Sequence, residues 1–263
     1  MSTIPKYVFI IPYRDRFLEK IHFSNYIKYI LEDYNEDSYA IYYSEQLDKR
    51  PFNRGATKNI GFLVIKELYP DNYKDIIFIF NDVDTIPIQK NILNFHVDFN
   101  NIKHYYGFTT TLGGIFSIRG RDYESILGFS NNWGWGLEDN VILDRAIKKK
   151  INIDRNNFFK YKDENILHTS INNVKNIANN EPGRYMKKQL DNINDITDLK
   201  YTIVNNIIDK KLYKNQYIIK IESFSTKYKH IDTLYYHQNL SKNPKLINDK
   251  FKTNTFKMNF IRQ

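Results

Sequence analysis

Two aspartates directly follow a strongly apolar run of the sequence. The run Asp75–Phe80 (DIIFIF) is typical of a buried strand, and it leads straight into Asn81-Asp82-Val83-Asp84. Ligands of open α/β sheets bind at the carboxyl ends of strands, so this position favours a functional site. Two carboxylates there suit Mn²⁺ or Mg²⁺. A turn rich in aspartate is the alternative, and the Asp-x-Asp pattern alone leaves it open.

A second candidate is the segment Trp133-Gly134-Trp135-Gly136-Leu137-Glu138-Asp139, which holds both tryptophans of the chain. Glycines allow the backbone to approach a ligand, and indoles offer flat apolar faces to sugar rings. Glu138 and Asp139 stand in the first turn of a predicted helix, whose dipole stabilises ionised carboxylates. An ionised carboxylate beside a hydroxyl is what general-base catalysis requires. A glycine-rich turn whose acids only stabilise the helix is the second interpretation.

The elements that must position these residues alternate between strand and helix. Strands are predicted at Lys6–Tyr13, Tyr39–Tyr43, Asp75–Phe80, Ile115–Ile118, Ile166–Thr169, Lys200–Val204 and Gln216–Ile221, and helices at Arg16–Leu31, Asn53–Leu68, Arg121–Leu127 (with Gly128 as its C-cap) and Glu138–Lys150. This order predicts an α/β fold with a Rossmann-like, mostly parallel central sheet flanked by helices. We expect one domain over residues 1–223 and a polar C-terminal extension over residues 224–263.

Charge and composition narrow the classes of partner and chemistry. The chain has 263 residues and a net charge of +9, which favours polyanions such as nucleic acid, anionic membranes or nucleotide diphosphates. The sequence shows no Lys/Arg stripe with interleaved aromatics on a nucleic-acid scaffold, so we expect no nucleic-acid partner. The absence of cysteine excludes thiol catalysis and disulfides and suits a reducing compartment. The N-terminus has no signal-peptide pattern and its apolar run is too short for a membrane span, so we expect a soluble, cytoplasmic protein.

Five motifs together resemble the β-1,4-galactosyltransferase family, glycosyltransferase family seven. They are Pro12-Tyr13-Arg14-Asp15-Arg16, Phe52-Asn53-Arg54, Asp82-Val83-Asp84, Gly113-Gly114 and Trp133 to Asp139, in the order and approximate spacing of the family, over roughly the first two-thirds of the chain. The resemblance implies a GT-A-type fold and an inverting, metal-dependent transfer of galactose, or N-acetylgalactosamine, from a UDP-sugar to a hydroxyl of a glycan or glycoconjugate acceptor.

The resemblance also assigns roles to individual residues. It places the donor on Pro12, Tyr13, Arg14, Arg16, Phe52, Asn53, Arg54, Asp82, Val83, Thr111, Gly113, Gly114 and Trp135, and the acceptor on Trp133, Trp135, Gly136, Glu138 and Asp139. Asp139 would take the acceptor proton, and Glu138 would orient donor or acceptor. Asp84 and His168 would hold Mn²⁺, with Mg²⁺ as the alternative. Arginines match phosphate oxygens, although an exposed arginine pair also forms surface salt bridges, and a lone histidine at a strand end also serves structural roles.

Several positions depart from the family pattern. Leu137 replaces a usual glycine, Asn140 interrupts an acidic run, and Asn165 stands where the family has a thioether or imidazole metal ligand. Thr111 lies where galactose-specific members resemble one another in having a bulky tyrosine, and a smaller side chain there would admit an N-acetyl group. Two alternatives stay open: a module that binds a UDP-sugar or glycan without catalysis, and a GT-A transferase with another hexose donor.

Overall fold

The computed structural model describes residues 3–134, 136–169, 174–178, 191–229 and 235–239. In these ranges the α-helices are α1 (Phe17–Ile30), α2 (Arg54–Leu68), α3 (Gly120–Ser125) and α4 (Glu138–Lys148). The strands are β1 (Tyr7–Tyr13), β2 (Tyr39–Gln46), β3 (Ile77–Asn81), β4 (Thr85–Pro87), β5 (Asn101–Gly107), β6 (Ile115–Arg119), β7 (Asn152–Asp154), β8 (Phe159–Lys160), β9 (Ile166–His168), β10 (Val174–Ala178), β11 (Thr197–Ile208), β12 (Lys211–Ser225) and β13 (Tyr235–Asn239).

The largest sheet has nine strands in the order β11-β12-β2-β1-β3-β6-β5-β7, with β8 also paired to β5. The strands β12, β2, β1 and β3 run parallel to one another, whereas β6 is antiparallel to both β3 and β5, and β11 is antiparallel to β12. Two small antiparallel ladders, β4–β9 and β10–β13, lie outside this sheet. The predicted α/β class with a mostly parallel central sheet is confirmed.

The central strand β1 is apolar without alternation because both of its faces are covered. Val8 and Ile10 point into the core that includes the buried residues of α2, whereas Phe9 and Ile11 point into the core on the α1 side. All four of these side chains are 0% exposed. Successive residues of a strand face opposite sides of the sheet, so a continuous apolar run here indicates two cores rather than one.

Within the described ranges, the structure adds six strands to those predicted, namely β4, β5, β7, β8, β10 and β13, and lengthens two others. Strand β5 is not predicted by the sequence, because its polar residues Lys103 and His104 interrupt the apolar pattern. The predicted short strands near residues 200 and 216 belong to one long hairpin of β11 and β12. Strand β12 continues to Ser225, so the hairpin crosses the boundary predicted at residue 223. The division into a domain and an extension stays a prediction.

Two helix N-termini meet the carboxyl edge of the parallel strands. Helix α2 approaches the loop that follows α3 so closely that a Cβ on Gly55 would lie 2.0 Å from the carbonyl oxygen of Ser130. Glycine is therefore required at this contact. The contact places the first turn of α2 beside the segment that leads into α4. In the described part of the chain, no helix is both long and apolar enough to cross a membrane.

Candidate active site

The Asp82–Asp84 pair lies in a fixed turn at the end of β3. The Asn81 side chain donates to the carbonyl oxygens of Asp82 (2.7 Å) and Thr85 (2.8 Å), and this holds the turn between β3 and β4. The backbone N–H of Asp82 donates to the carbonyl of Gly114 at 3.2 Å. The two carboxylates therefore project from a turn that is tied to the predicted donor loop.

Helix α4 presents Glu138 and Asp139 in its first turn. Its N-cap, Leu137, has a φ of 71°, in the left-handed region. The Glu138 side chain accepts a hydrogen bond from the backbone N–H of Gly136 (3.1 Å), which closes the glycine-rich turn. The carbonyl of Asp139 accepts from the N–H of Leu112 at 2.9 Å. The first turn of α4 is thus held to the loop that carries Gly113.

Arg54 joins these acidic side chains into one cluster from the first residue of α2. Its Nη1 donates to Glu138 (2.8 Å) and to both oxygens of Asp139 (2.9 Å each), while its Nη2 donates to both oxygens of Asp82 (2.6 and 2.7 Å). Burial lowers the pKa of Arg54, but the three carboxylates outweigh that effect and raise this pKa well above its ordinary value. The guanidinium therefore bridges Asp82, on the predicted donor side, and the predicted catalytic base.

Lys58 lies one helical turn beyond Arg54 and faces the same carboxylates. Its Nζ is 3.4 Å from Oδ1 of Asp139 and 3.7 Å from Oδ1 of Asp82, and its side chain is 1% exposed. Lys58 belongs to none of the sequence motifs that predicted the site. Its spacing of four from Arg54 was the available signal, because residues four apart share one face of a helix.

Asp84 and His168 are brought together by the β4–β9 ladder, in which Thr85 pairs with His168. Oδ2 of Asp84 and Nε2 of His168 are 4.0 Å apart, and both side chains are partly exposed. Two metal–ligand bonds of about 2.1 Å span up to about 4.2 Å, so this pair fits one shared divalent cation. The described residues contain no group of three His, Cys, Asp or Glu side chains that could hold a metal. Asn165, which occupies the position of a thioether or imidazole metal ligand in the family, donates from its side chain to Asp163 at 2.9 Å.

The glycine pair of the predicted donor loop packs tightly against the site. A Cβ on Gly113 would lie 2.5 Å from Oδ2 of Asp139, and a Cβ on Gly114 would lie 2.3 Å from the carbonyl of Tyr106. Gly114 also has a φ of 74°, in the left-handed region. Thr111, two residues before Gly113, is half-buried on the same loop. Both glycines are therefore needed for close approach, one to a side chain and one to backbone.

A buried histidine holds this loop, and nothing in the sequence pattern marks it. Nε2 of His104 donates to the carbonyl oxygen of Gly113 (3.0 Å) and Nδ1 accepts from Arg155 (3.1 Å). Burial lowers the pKa of His104 to about 4, so the imidazole is neutral near pH 7. Nε2 also lies 3.1 Å from the carbonyl oxygen of Tyr106, so two acceptors at Nε2 and one donor at Nδ1 fix the tautomer that carries the proton on Nε2.

Two residues predicted to contact ligands, Asn53 and Trp133, are buried in this structure. Asn53 is 0% exposed and caps α2 by accepting from the N–H of Ala56 at 2.9 Å. Trp133 is 2% exposed: its ring stacks on Phe224 (centroids 5.4 Å apart) and its Nε1 donates to Thr226 at 3.0 Å. A sugar platform at Trp133 is not found in this conformation, because the indole faces are covered. Trp135 lies outside the described residues.

The remaining predicted donor residues lie at the ends of β1, β2 and β3. Arg14 donates to the carbonyl of Arg50, and Arg16 pairs with Glu19 of α1 at 2.9 Å. Within the described part of the chain, the ion pairs of the two arginines, with Asp15 and with Glu19, lie outside the carboxylate cluster around Arg54. The other predicted donor residues are buried (Pro12, Tyr13 and Val83) or half-buried (Phe52), and Gly136, which was predicted to contact the acceptor, is half-buried in the turn before α4.

Two models of one protein family match consecutive parts of the chain. The "N-terminal region of glycosyl transferase group 7" matches residues 2–95, and the "N-terminal domain of galactosyltransferase" matches residues 93–169. Together they span every motif on which the resemblance was based.

Named relatives agree with these matches. The xylosylprotein 4-beta-galactosyltransferase of Caenorhabditis elegans is 31% identical over 163 residues, covering 59% of this chain and 54% of that protein. The beta-1,4-galactosyltransferase 1 of Mus musculus is 33% identical over 163 residues, covering 58% of this chain and 39% of that protein. The chain thus spans about half, or less, of the length of these curated relatives.

Solved structures share the fold. The catalytic domain of Drosophila beta1,4-galactosyltransferase 7, in complex with xylobiose, superposes with a TM-score of 0.67 at 20% sequence identity, covering 88% of this chain and 98% of that one. A mutant of the same enzyme, in complex with manganese, UDP-Gal and xylobiose, gives a TM-score of 0.65 at 21% identity. These matches confirm the GT-A-type fold.

The family models, the named relatives and the shared fold point to one assignment. They cover the Asp82–Asp84 turn, the glycine pair and the Trp133–Asp139 segment, and the structure brings these three motifs together around Arg54. The chain belongs to the β-1,4-galactosyltransferase family, glycosyltransferase family seven.

Proposed function

We propose that this protein is an inverting, metal-dependent glycosyltransferase that moves galactose, or N-acetylgalactosamine, from a UDP-sugar to a hydroxyl of a glycan acceptor. The observation that carries the proposal is the meeting of two carboxylate sites at one sheet edge. Asp139 is held by Arg54 at 2.9 Å in the first turn of α4, while Asp84 lies 4.0 Å from His168 in the turn after β3. One site suits a general base and the other a divalent cation.

Asp139 is the proposed base. It accepts the proton of the acceptor hydroxyl as that oxygen forms a bond to the anomeric carbon of the donor. The bond from the anomeric carbon to the phosphate oxygen breaks, and its electron pair leaves with UDP. A single displacement of this kind inverts the configuration, so an α-linked donor gives a β-linked product. Arg54 orients Asp139, and the rigid helix ends supply the positioning on which such transfers depend.

Asp84 and His168 are the proposed ligands of Mn²⁺, with Mg²⁺ as the alternative. When bound, the cation offsets the negative charge that develops on the diphosphate. With these two protein ligands, phosphate oxygens and water would complete its coordination, as is common for small divalent cations. The relative solved with manganese and UDP-Gal supports this choice.

The donor and acceptor classes follow from the relatives and from Thr111. The relatives are named as galactosyltransferases, and one is solved with UDP-Gal, so UDP-galactose is the first donor to test. The small side chain of Thr111 on the donor loop keeps UDP-N-acetylgalactosamine as the second. Both solved relatives hold xylobiose, so β-xylosides lead the acceptor panel.

The test is UDP release from a panel of UDP-sugars with Mn²⁺ and with simple sugar acceptors. Asp139→Asn should lower kcat by at least about 10²-fold, because a general base contributes that much or more. Asp84→Ala should abolish the Mn²⁺ dependence. Asp144→Asn is the matched control, since Asp144 lies on the same helix but pairs with Lys148 at the surface (2.8 Å).

The outcomes separate the competing functions. Mn²⁺-dependent release from a galactose or N-acetylgalactosamine donor, lost in both site variants and kept in the control, supports the transferase. Tight binding of a UDP-sugar without turnover would favour the binding module instead. Release from only another UDP-hexose would change the donor and leave the mechanism in place. No binding of any UDP-sugar would contradict the proposal.

A further inference from the structure

Helix α2 carries a second cation beside the proposed base. Lys58 is 1% exposed, and its Nζ lies 3.4 Å from Oδ1 of Asp139. Its other polar neighbour is Asp82, at 3.7 Å, and Nζ also lies 4.5 Å from the centre of the Phe129 ring. A buried ammonium is costly unless opposite charges surround it, so these carboxylates explain why a lysine is tolerated there.

The two cations contact Asp139 differently. Nη1 of Arg54 donates to both carboxylate oxygens, whereas Nζ of Lys58 donates to Oδ1. The other oxygen, Oδ2, faces the donor loop, where a Cβ on Gly113 would lie only 2.5 Å away. Lys58 therefore holds Oδ1, on the side of helix α2, whereas Oδ2 faces the loop that carries Gly113.

We infer that Lys58 is a positioning residue for sugar transfer: its ammonium holds Oδ1 of Asp139 so that Oδ2 is presented to the acceptor hydroxyl. This inference rests on the function proposed above, because it needs Asp139 to act as the base. It assigns Oδ2 as the atom that receives the proton. Lys58 contacts neither reacting group, so it acts through Asp139.

The inference predicts a specific kinetic pattern for Lys58→Met. Methionine fills a similar volume without a charge or a hydrogen-bond donor, so the Asp139 carboxylate loses its contact on the helix side. A catalytic group displaced by about 1 Å lowers turnover by about 10²-fold, so kcat should fall by up to about 10²-fold. Affinity for the UDP-sugar with Mn²⁺, measured by calorimetry, should change little, because Asp84 and His168 are untouched and Asp82 keeps its hydrogen bonds from Arg54.

The matched control is Lys66→Met. Lys66 lies two turns further along the same helix, pairs with Glu124 at 2.6 Å and approaches the Tyr73 ring, so it also combines a carboxylate with an aromatic ring, but away from the site. This variant should keep the wild-type kcat. Lys58→Gln is the rescue variant, because its amide N–H can still donate to Oδ1. Its kcat should lie between those of the wild type and Lys58→Met.

Thermal unfolding of every variant separates a positioning role from a purely structural one. A loss of kcat in protein that is fully folded at the assay temperature supports the inference. If Lys58→Met does not fold, Lys58→Gln decides, and a wild-type kcat in that variant overturns the need for the ammonium. A wild-type kcat in folded Lys58→Met, or equal losses in kcat and donor affinity, overturns the role of Lys58 alone. Absence of turnover in the wild-type protein would overturn the proposed function and this inference together.

Discussion

Gly113→Ala offers a sharp test of the site, because one methyl group would press directly on the proposed base. The added Cβ would lie 2.5 Å from Oδ2 and 3.0 Å from Cγ of Asp139. Ordinary van der Waals contacts of a Cβ begin near 3.4 Å, so the carboxylate must move by about 1 Å. It has little freedom to retreat, since Arg54 and Lys58 hold its other side. A misplacement of this size costs about 10²-fold in rate, or about 3 kcal/mol of activation free energy.

The measurement is kcat for Mn²⁺-dependent UDP release at saturating donor, together with thermal unfolding. Gly113 is not in the left-handed region, so alanine fits its backbone and the melting temperature should stay close to that of the wild type. Gly114→Ala is the companion variant: with a φ of 74° and a backbone oxygen 2.3 Å from the new Cβ, it should lose stability. Wild-type kcat in folded Gly113→Ala would refute the placement of Asp139 as the base.

Three further substitutions test other features. Asp191 is 0% exposed and burial raises its pKa to about 6, whereas an exposed aspartate titrates near about 3.9. The contribution of Asp191 to the free energy of unfolding is therefore complete below about pH 4, where the carboxyl is protonated. It is lost as the pH rises through about 6, and the loss amounts to about 3 kcal/mol. In urea denaturation, Asp191→Asn should raise the free energy of unfolding at pH 8 by up to that amount but change it little at pH 4; an unchanged pH dependence would contradict this. Leu137→Gly should raise the free energy of unfolding by up to about 1 kcal/mol, because Leu137 has a φ of 71°, and equal or lower stability would argue against strain there. Thr111→Tyr should raise the preference for UDP-galactose over UDP-N-acetylgalactosamine by about tenfold in kcat/KM, and an unchanged ratio would place the N-acetyl group elsewhere.

The fold was predictable where burial alone determines the residue pattern. Strands β1 and β3 have both faces covered, so their apolar runs stand out in the sequence. Strand β5 was missed because it carries Lys103 and a buried histidine, His104, whose polar contacts include Arg155 from a distant part of the chain. No local pattern reports a partner that lies 51 residues away.

The site was predictable as a set of motifs but not as a set of contacts. Resemblance selected Arg54 for the diphosphate and Trp133 for a sugar. The structure places Arg54 on three carboxylates and Trp133 beneath the end of β12, where it stacks on Phe224. Both outcomes depend on how α2, α4 and the β12 end pack together. Sequence spacing does not define that packing, since the partners lie on separate elements.

The position of Arg54 couples the donor side of the site to the base. Its Nε and Nη2 contact Asp82 and its Nη1 contacts Asp139, so all three guanidinium nitrogens are engaged with carboxylates. A role of Arg54 on the diphosphate therefore requires it to release at least one of these partners, because its donors already have acceptors. Lys58 cannot follow it outward, since it lies buried one turn deeper on the same helix. If donor binding draws Arg54 toward phosphate, Lys58 becomes the main cation that fixes Asp139. The loss of kcat in Lys58→Met should then be larger than it would be if Arg54 stayed on Asp139.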